Sequence, residues 1–164
     1  MTARTVLDSP IGPLTLVAEG VSLAAVHLPG DGRPEGGPAT GVLAEAAAQL
    51  GAYFDAALTE FDLPLAPASG ELAAKVRAAL GAVGYGRTCT YGELAREIHG
   101  PEVGYEQVRA VAGTLARNPL AIVVPCHRVI GADGSLTGYG GGLERKRFLL
   151  DLETPAERRL PTLF

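Results

Sequence analysis

The chain has 164 residues, of which 47% are hydrophobic and 20% charged, with a formal net charge of −4. That length holds one packed domain or two small ones, and that composition excludes a disordered chain. No apolar run approaches the roughly 18 to 20 residues of a membrane span, two cysteines make no disulfide framework, and Asp8 and Pro10 interrupt any secretion signal, so a reducing cytoplasmic setting is expected.

Residues 4 to 28 predict three short strands, TVLDS, LTLVAEG and SLAAVHL, the first two separated by the turn SPIGP. The glycine- and proline-rich PGDGRPEGGPATG follows as a loop. From Val42 to Ala57 the pattern turns helical, with Leu43, Ala47, Leu50 and Phe54 three and four residues apart. EFDLPLAPASG then gives a short extended piece and a linker, which places a module boundary near residues 68 to 70 and divides 1–69 from 70–164. Charge agrees with that division. Residues 1 to 70 carry 2 basic and 8 acidic side chains, a net of −6, whereas residues 71 to 164 carry 12 and 10, a net of +2. Any polyanionic partner would meet the second module.

That second module reads as mostly helical. ELAAKVRAALGAVG puts Leu72, Val76, Ala79 and Leu80 on one face before glycines close it. TYGELAREI opens with Thr90 and Glu93 at capping-box spacing, where each side chain satisfies a backbone donor of the first turn. YEQVRAVAGTLARNP predicts a further helix on Val108, Val111 and Leu115, stopping at Asn118-Pro119. The pair is compatible with a helix-turn-helix, although the HGPEVG connection is longer than the usual turn. AIVVP, residues 121 to 125, predicts a buried strand that ends at Cys126, His127 and Arg128. GADGSLTGYGGG is a loop by composition, and LERKRFLLDLE an amphipathic helix. There are no internal repeats.

Three chemistries are open to the Cys-His-Arg run. A free thiol is only a few per cent ionised at neutral pH, and a neighbouring imidazole or guanidinium raises that fraction. In an extended segment Cys126 and His127 point to opposite faces, so a kink or a bridging water is needed for one to act on the other. The plainest reading is a buried, inert thiol beside a structural histidine. A zinc site could draw on Cys89, Cys126, His27, His99 and His127, but none fall at paired ligand spacings. A cysteine hydrolase needs a base and an orienting third group that spacing does not locate.

PCHRVIG, followed by GYGGG and preceded by RAVAGTLARNP, gives the chain a resemblance to the DNA alkyltransferases that repair 6-O-methylguanine. The likeness runs from Tyr85 through Glu153 and includes YGRTCTYGELA and GYGGGLERKRFLLDLE; DSPIGPLTLVAEG is similar but less diagnostic. It implies a ribonuclease-H-like α/β N-terminal domain, with a small antiparallel sheet plus helix, on a mainly helical C-terminal domain holding a winged helix-turn-helix-like element. Cys126 would take the alkyl group irreversibly, once per molecule. His127 would deprotonate it through a water, Glu153 would orient His127, and Asn118 would help hold that network. Tyr91 would meet the charge developing on the guanine oxygen. Tyr139, Gly140 and the backbone carbonyls of Cys126 and Val129 would contact the base. Because the reacting atom is buried in a duplex, the nucleotide must be rotated out. Arg109 would fill the vacated stack, and Thr90, Ala110, Ala112 and Gly113 would lie along the minor groove. No cofactor, metal or membrane is implied. The partner is double-stranded DNA containing 6-O-alkylguanine, met by a monomer, with cooperative assembly on DNA left open.

The sequence departs from the family pattern in the long HGPEVG connection, in Arg77 where tryptophan is usual, in Ala112 where glycine is common, and in its small positive charge. Two rivals remain: a lesion sensor that flips bases without reacting, which would lack the cysteine, and a hydrolase that would turn over repeatedly.

Overall fold

The computed structural model describes residues 2–30 and 35–155. Residues 31 to 34 of the glycine- and proline-rich loop, and 156 to 164, lie outside it. The N-terminal half is an antiparallel meander of β1 (Thr2–Leu7), β2 (Leu14–Glu19) and β3 (Ser22–His27), in the order β1-β2-β3. Central β2 buries Leu14, Leu16, Val17 and Ala18, and a bulge between Val17 and Ala18 shifts its register against β3. Helix α1 (Val42–Phe54) packs on the sheet through Leu43, Ala46, Leu50 and Tyr53, a stripe of helical period. The helix ends before the predicted Ala57, because Ala56 takes a left-handed φ of 57°.

The free edge of β3 joins the two halves. Leu23 N–H donates to the Pro64 carbonyl at 2.7 Å and its own carbonyl accepts from Ala66 at 2.8 Å, so the linker runs along the strand. Three residues further along the strand, Val26 N–H donates to the Pro119 carbonyl at 2.8 Å. An edge that would otherwise expose unpaired backbone groups is thus covered by chain from both halves.

The C-terminal half holds α2 (Glu71–Gly81), β4 (Cys89–Thr90), α3 (Tyr91–His99), α4 (Tyr105–Ala116), a 3-10 turn over Cys126–Arg128, β5 (Val129–Ile130) and α5 (Leu143–Glu153). The predicted capping box forms: Thr90 Oγ1 accepts from Glu93 N–H at 3.1 Å, and Glu93 Oε1 from Thr90 N–H at 3.0 Å. β4 and β5 pair in parallel, tying the start of α3 to the chain after Cys126. Helices α2, α3 and α4 pack on one another, with residues 100 to 104 between α3 and α4. Buried side chains from both halves form a single continuous cluster.

The expected strand over residues 121 to 125 does not exist. Leu120, Ala121, Ile122 and Val124 are buried as predicted, but the backbone turns. Ile122 has φ 72°, Val124 N–H reaches back to the Leu120 carbonyl at 2.9 Å, and Asn118 Oδ1 accepts from Leu120 N–H at 3.1 Å. A short apolar run reports burial, and a turn wrapped around a polar side chain buries it as well as a strand does. Arg77 donates to the Ala66 carbonyl at 2.7 Å, tying α2 to the linker. It lines a cleft of about 330 Å³ between α2, residues 68 to 70 and the end of α4.

Candidate active site

Pro125 and the Asn118 turn deliver Cys126, His127 and Arg128 into one 3-10 turn rather than an extended strand. Successive side chains therefore fan out, and each goes to a different environment. The Cys126 thiol is mostly buried and accepts from Asn118 Nδ2 at 3.2 Å, while the same amide donates to the Val124 carbonyl at 2.9 Å. Burial pushes the thiol above its ordinary pKa; the Asn118 bond and the Lys146 ammonium act in the opposite direction.

His127 is fully buried, and its Nε2 lies 2.7 Å from Glu153 Oε2. Glu153 also accepts from Arg128 Nε at 2.7 Å on Oε1, and from Arg128 Nη2 at 3.2 Å and the Tyr53 hydroxyl at 2.6 Å on Oε2. Burial raises the carboxyl, but the bonds from His127, Arg128 and Tyr53 more than reverse this and hold it at about 2. Glu153 is therefore an anion at neutral pH, Nε2 carries the imidazole proton, and Nδ1 is left as an acceptor. Burial lowers the His127 pKa despite Glu153, so the ring is neutral and able to take a proton. Among the described residues its Nδ1 is a buried nitrogen without a hydrogen-bond partner.

On the other side of the sulfur lies a cavity of about 60 Å³, lined by Cys126, Asn118, Tyr91, Gly138, Tyr139 and Gly140 together with Leu28, which follows β3. The Tyr91 hydroxyl donates to the Thr137 carbonyl at 3.1 Å, and the Tyr139 hydroxyl is buried without a partner among the described residues. At Gly141 an added Cβ would overlap the end of the Leu28 side chain and lie 3.1 Å from the Tyr139 ring, so a larger residue there would displace Leu28.

The predicted site residues separate into three groups. Asn118, Tyr91, Tyr139 and Gly140 gather around the Cys126 sulfur, and Glu153 meets His127 on the adjacent residue. Val129 is fully buried and does not line the cavity; its carbonyl accepts from Lys146 Nζ at 2.5 Å. Arg109, Ala110, Ala112 and Gly113 lie along α4 with Arg109 and Ala110 exposed, while Thr90 caps α3. At Gly113 an added Cβ would meet only the end of the Arg117 side chain, at 3.3 Å, so glycine is not demanded there by packing within the chain.

Lys146 and Tyr53 escaped the sequence reading, which gives Arg128 only a place beside the thiol. Lys146 is buried, binds the Val129 and Thr137 carbonyls and stands 6.0 Å from the Tyr91 ring. Its spacing with Leu149 and Glu153 on α5 was a usable signal, since the three share the buried stripe. Arg128 is spent on Glu153 and on the Val83 carbonyl at 2.7 Å. Tyr53 sits on the apolar stripe of α1, where nothing in the pattern distinguishes it from a core aromatic. Cys89, half-buried in β4, is pushed up to about 11 by burial, which keeps it a protonated thiol. Among the described residues no group of three His, Cys, Asp or Glu could hold a metal ion, and no helix is long and apolar enough to cross a membrane.

These features define a two-part chain with a mostly buried thiol next to a buried imidazole–carboxylate pair. Residues 3–67 match the model of the 6-O-methylguanine DNA methyltransferase ribonuclease-like domain, and residues 71–155 that of the 6-O-methylguanine DNA methyltransferase DNA binding domain. The methylated-DNA–protein-cysteine methyltransferase of Mycobacterium tuberculosis is 44% identical over 162 residues, covering 96% of each chain. That of Methanosarcina acetivorans is 44% identical over 153 residues, covering 90% of this chain and 96% of its own. The crystal structure of M. tuberculosis OGT in complex with DNA superposes with a TM-score of 0.80 at 45% identity, over 94% of this chain and 96% of that one. The chain belongs to the 6-O-methylguanine DNA methyltransferase family, with its ribonuclease-like N-terminal domain and helical C-terminal DNA-binding domain.

Proposed function

We propose that this protein repairs DNA by direct, irreversible transfer of the alkyl group from 6-O-methylguanine to Cys126, once per molecule. The observations that carry the reading are the contacts Asn118–Cys126 and His127–Glu153, which give a sulfur held by an amide and, on the next residue, an imidazole oriented by a carboxylate with its Nδ1 left as an acceptor. His127 Nδ1 takes the thiol proton through a water, and the resulting imidazolium is stabilised by Glu153. The thiolate attacks the alkyl carbon; the carbon–sulfur bond forms as the carbon–oxygen bond breaks, and the electron pair remains on the guanine. Tyr91 offers the donor that meets this developing charge, and a thioether provides no route back to thiol.

A cavity of about 60 Å³ holds a water or two and no purine. Base entry therefore requires residues 136 to 142 to move, releasing Tyr91 from the Thr137 carbonyl. Gly138 and Gly142, both at positive φ, give that loop the freedom to do so. Arg109 occupies the vacated stack, and small residues at 110, 112 and 113 let α4 approach the minor groove, where sequence readout is poor and any lesion context is accepted. Val129 contributes its carbonyl alone. The protein acts as a monomer in the cytoplasm without a cofactor, and its two modules, 1–69 and 70–164, meet at the linker.

The test is intact-protein mass after mixing with an oligonucleotide containing 6-O-methylguanine. Wild type should gain one methyl group and stop at one equivalent, and Cys126→Ser should gain none. An unchanged wild-type mass with lesion binding would make the protein a sensor, and repeated product release would make it a hydrolase.

A further inference from the structure

Tyr53 belongs to the N-terminal half, a hundred residues from the carboxylate it touches. Its ring is fully buried among Phe54, Phe61 and Tyr85, with centroids 5.4, 5.5 and 6.4 Å away. Apolar packing alone would be served equally by phenylalanine, yet the hydroxyl donates at 2.6 Å to Glu153 Oε2, the same oxygen that His127 Nε2 reaches at 2.7 Å. We infer that Tyr53 is a positioning residue of the alkyl-transfer site, through which the N-terminal module sets the orientation and proton affinity of the His127–Glu153 pair. The inference rests on the transfer reading above and deepens it.

The physical argument turns on competition at one oxygen. Oε2 accepts from Tyr53, His127 and Arg128 Nη2, while Oε1 accepts from Arg128 Nε. Each donor withdraws electron density from the carboxylate and so weakens its hold on the others. With all in place, Glu153 fixes the imidazole tautomer while remaining too weak a base to keep His127 protonated. The charged and titratable groups around the ring come from several elements: Glu153 and Lys146 from α5, Cys126 and Arg128 from the 3-10 turn, and Tyr53 from α1. Tyr85, before β4, packs against both Tyr53 and Arg128. Of these, only Tyr53 comes from the N-terminal half. Its donor leaves no charge behind when removed, so Tyr53→Phe isolates the hydrogen bond.

Removing the hydroxyl makes the carboxylate more basic, which strengthens its pairing with the imidazolium and raises the His127 pKa. The sign follows from the need for a neutral base: transfer falls as pH drops through the His127 pKa, so the acid limb moves upward. In the full-length protein, Tyr53→Phe should slow single-turnover transfer from a methylated oligonucleotide about tenfold at neutral pH, chiefly through the lost orientation of Glu153 and the imidazole. The acid limb should move up by about 0.5 pH unit or more, while the Kd for duplex DNA stays unchanged. His127 titrated by NMR, one of three histidines in the chain, gives the same shift without any transfer step. A folded Tyr53→Phe protein with wild-type rate and an unmoved His127 titration would overturn the inference. So would a slower rate of unchanged pH profile that merely follows a lowered Tm. If wild type accepts no methyl group, the proposed transfer fails, and the NMR titration still decides the role of Tyr53.

Discussion

Cys126 stands between two regions built on opposite terms. Behind it, His127, Arg128, Glu153 and Tyr53 are buried and held by short bonds to one carboxylate. In front, Tyr91, Gly138, Tyr139 and Gly140 line a small cavity; Tyr91 and Lys146 hold its loop at the Thr137 carbonyl, the Tyr139 hydroxyl has no partner among the described residues, and glycines at positive φ lie nearby. The back region has one arrangement to maintain, because a buried charge that loses a partner is costly. On the proposed reading, the front region has to admit and release a base. On that same reading, proton chemistry belongs to the buried side and substrate access to the loop side.

Glu153→Gln tests the buried side most severely. It leaves Arg128 without its counter-ion and His127 without a charge to stabilise its protonated form. Single-turnover transfer should fall by about 10²- to 10⁴-fold, with a stability loss of about 3–5 kcal/mol by urea denaturation. Near-wild-type transfer would dissolve the distinction between the two regions.

Acid titration probes the same cluster without mutation. Glu153 is held at about 2 in the folded protein, below its unfolded value. Its contribution is fully present above the unfolded pKa and is lost as pH falls through the folded one. Stability should therefore decline by about 3 kcal/mol between roughly pH 4.5 and pH 2 on this account alone. Urea melts stepped through that window in wild type and Glu153→Gln should differ in slope, with the variant flatter.

Arg109→Ala tests the proposed DNA-facing side. Transfer from duplex substrate should slow about tenfold, and the deficit should narrow on a single-stranded oligonucleotide, where little unstacking is required. Thermal stability should not change, because Arg109 is exposed. An equal loss on both substrates would remove Arg109 from base flipping. The smallest effect is expected from Thr90→Ala, which deletes the cap of the helix carrying Tyr91. About 1 kcal/mol of stability should be lost, a Tm decrease of about 2–4 °C in calorimetry, with the transfer rate nearly intact.

What the sequence determined by itself was local. Strand alternation, the Thr90–Glu93 box and the apolar stripes of α1 and α4 are written in neighbouring residues, so the elements were legible, and the ordered motifs around Pro125-Cys126-His127-Arg128 were enough to place the chain in its family. The run at 121 to 124 shows where this stops. Its burial was readable, but its backbone path depends on Asn118 holding the turn by side-chain bonds. Apart from the family likeness, nothing near Glu153 in the sequence marks it as more than a charge at a helix end, and nothing in α1 marks Tyr53 out from a core aromatic. Only the tertiary structure brings these two together, across a hundred residues, because the desolvated oxygen they share exists once both halves have folded around it.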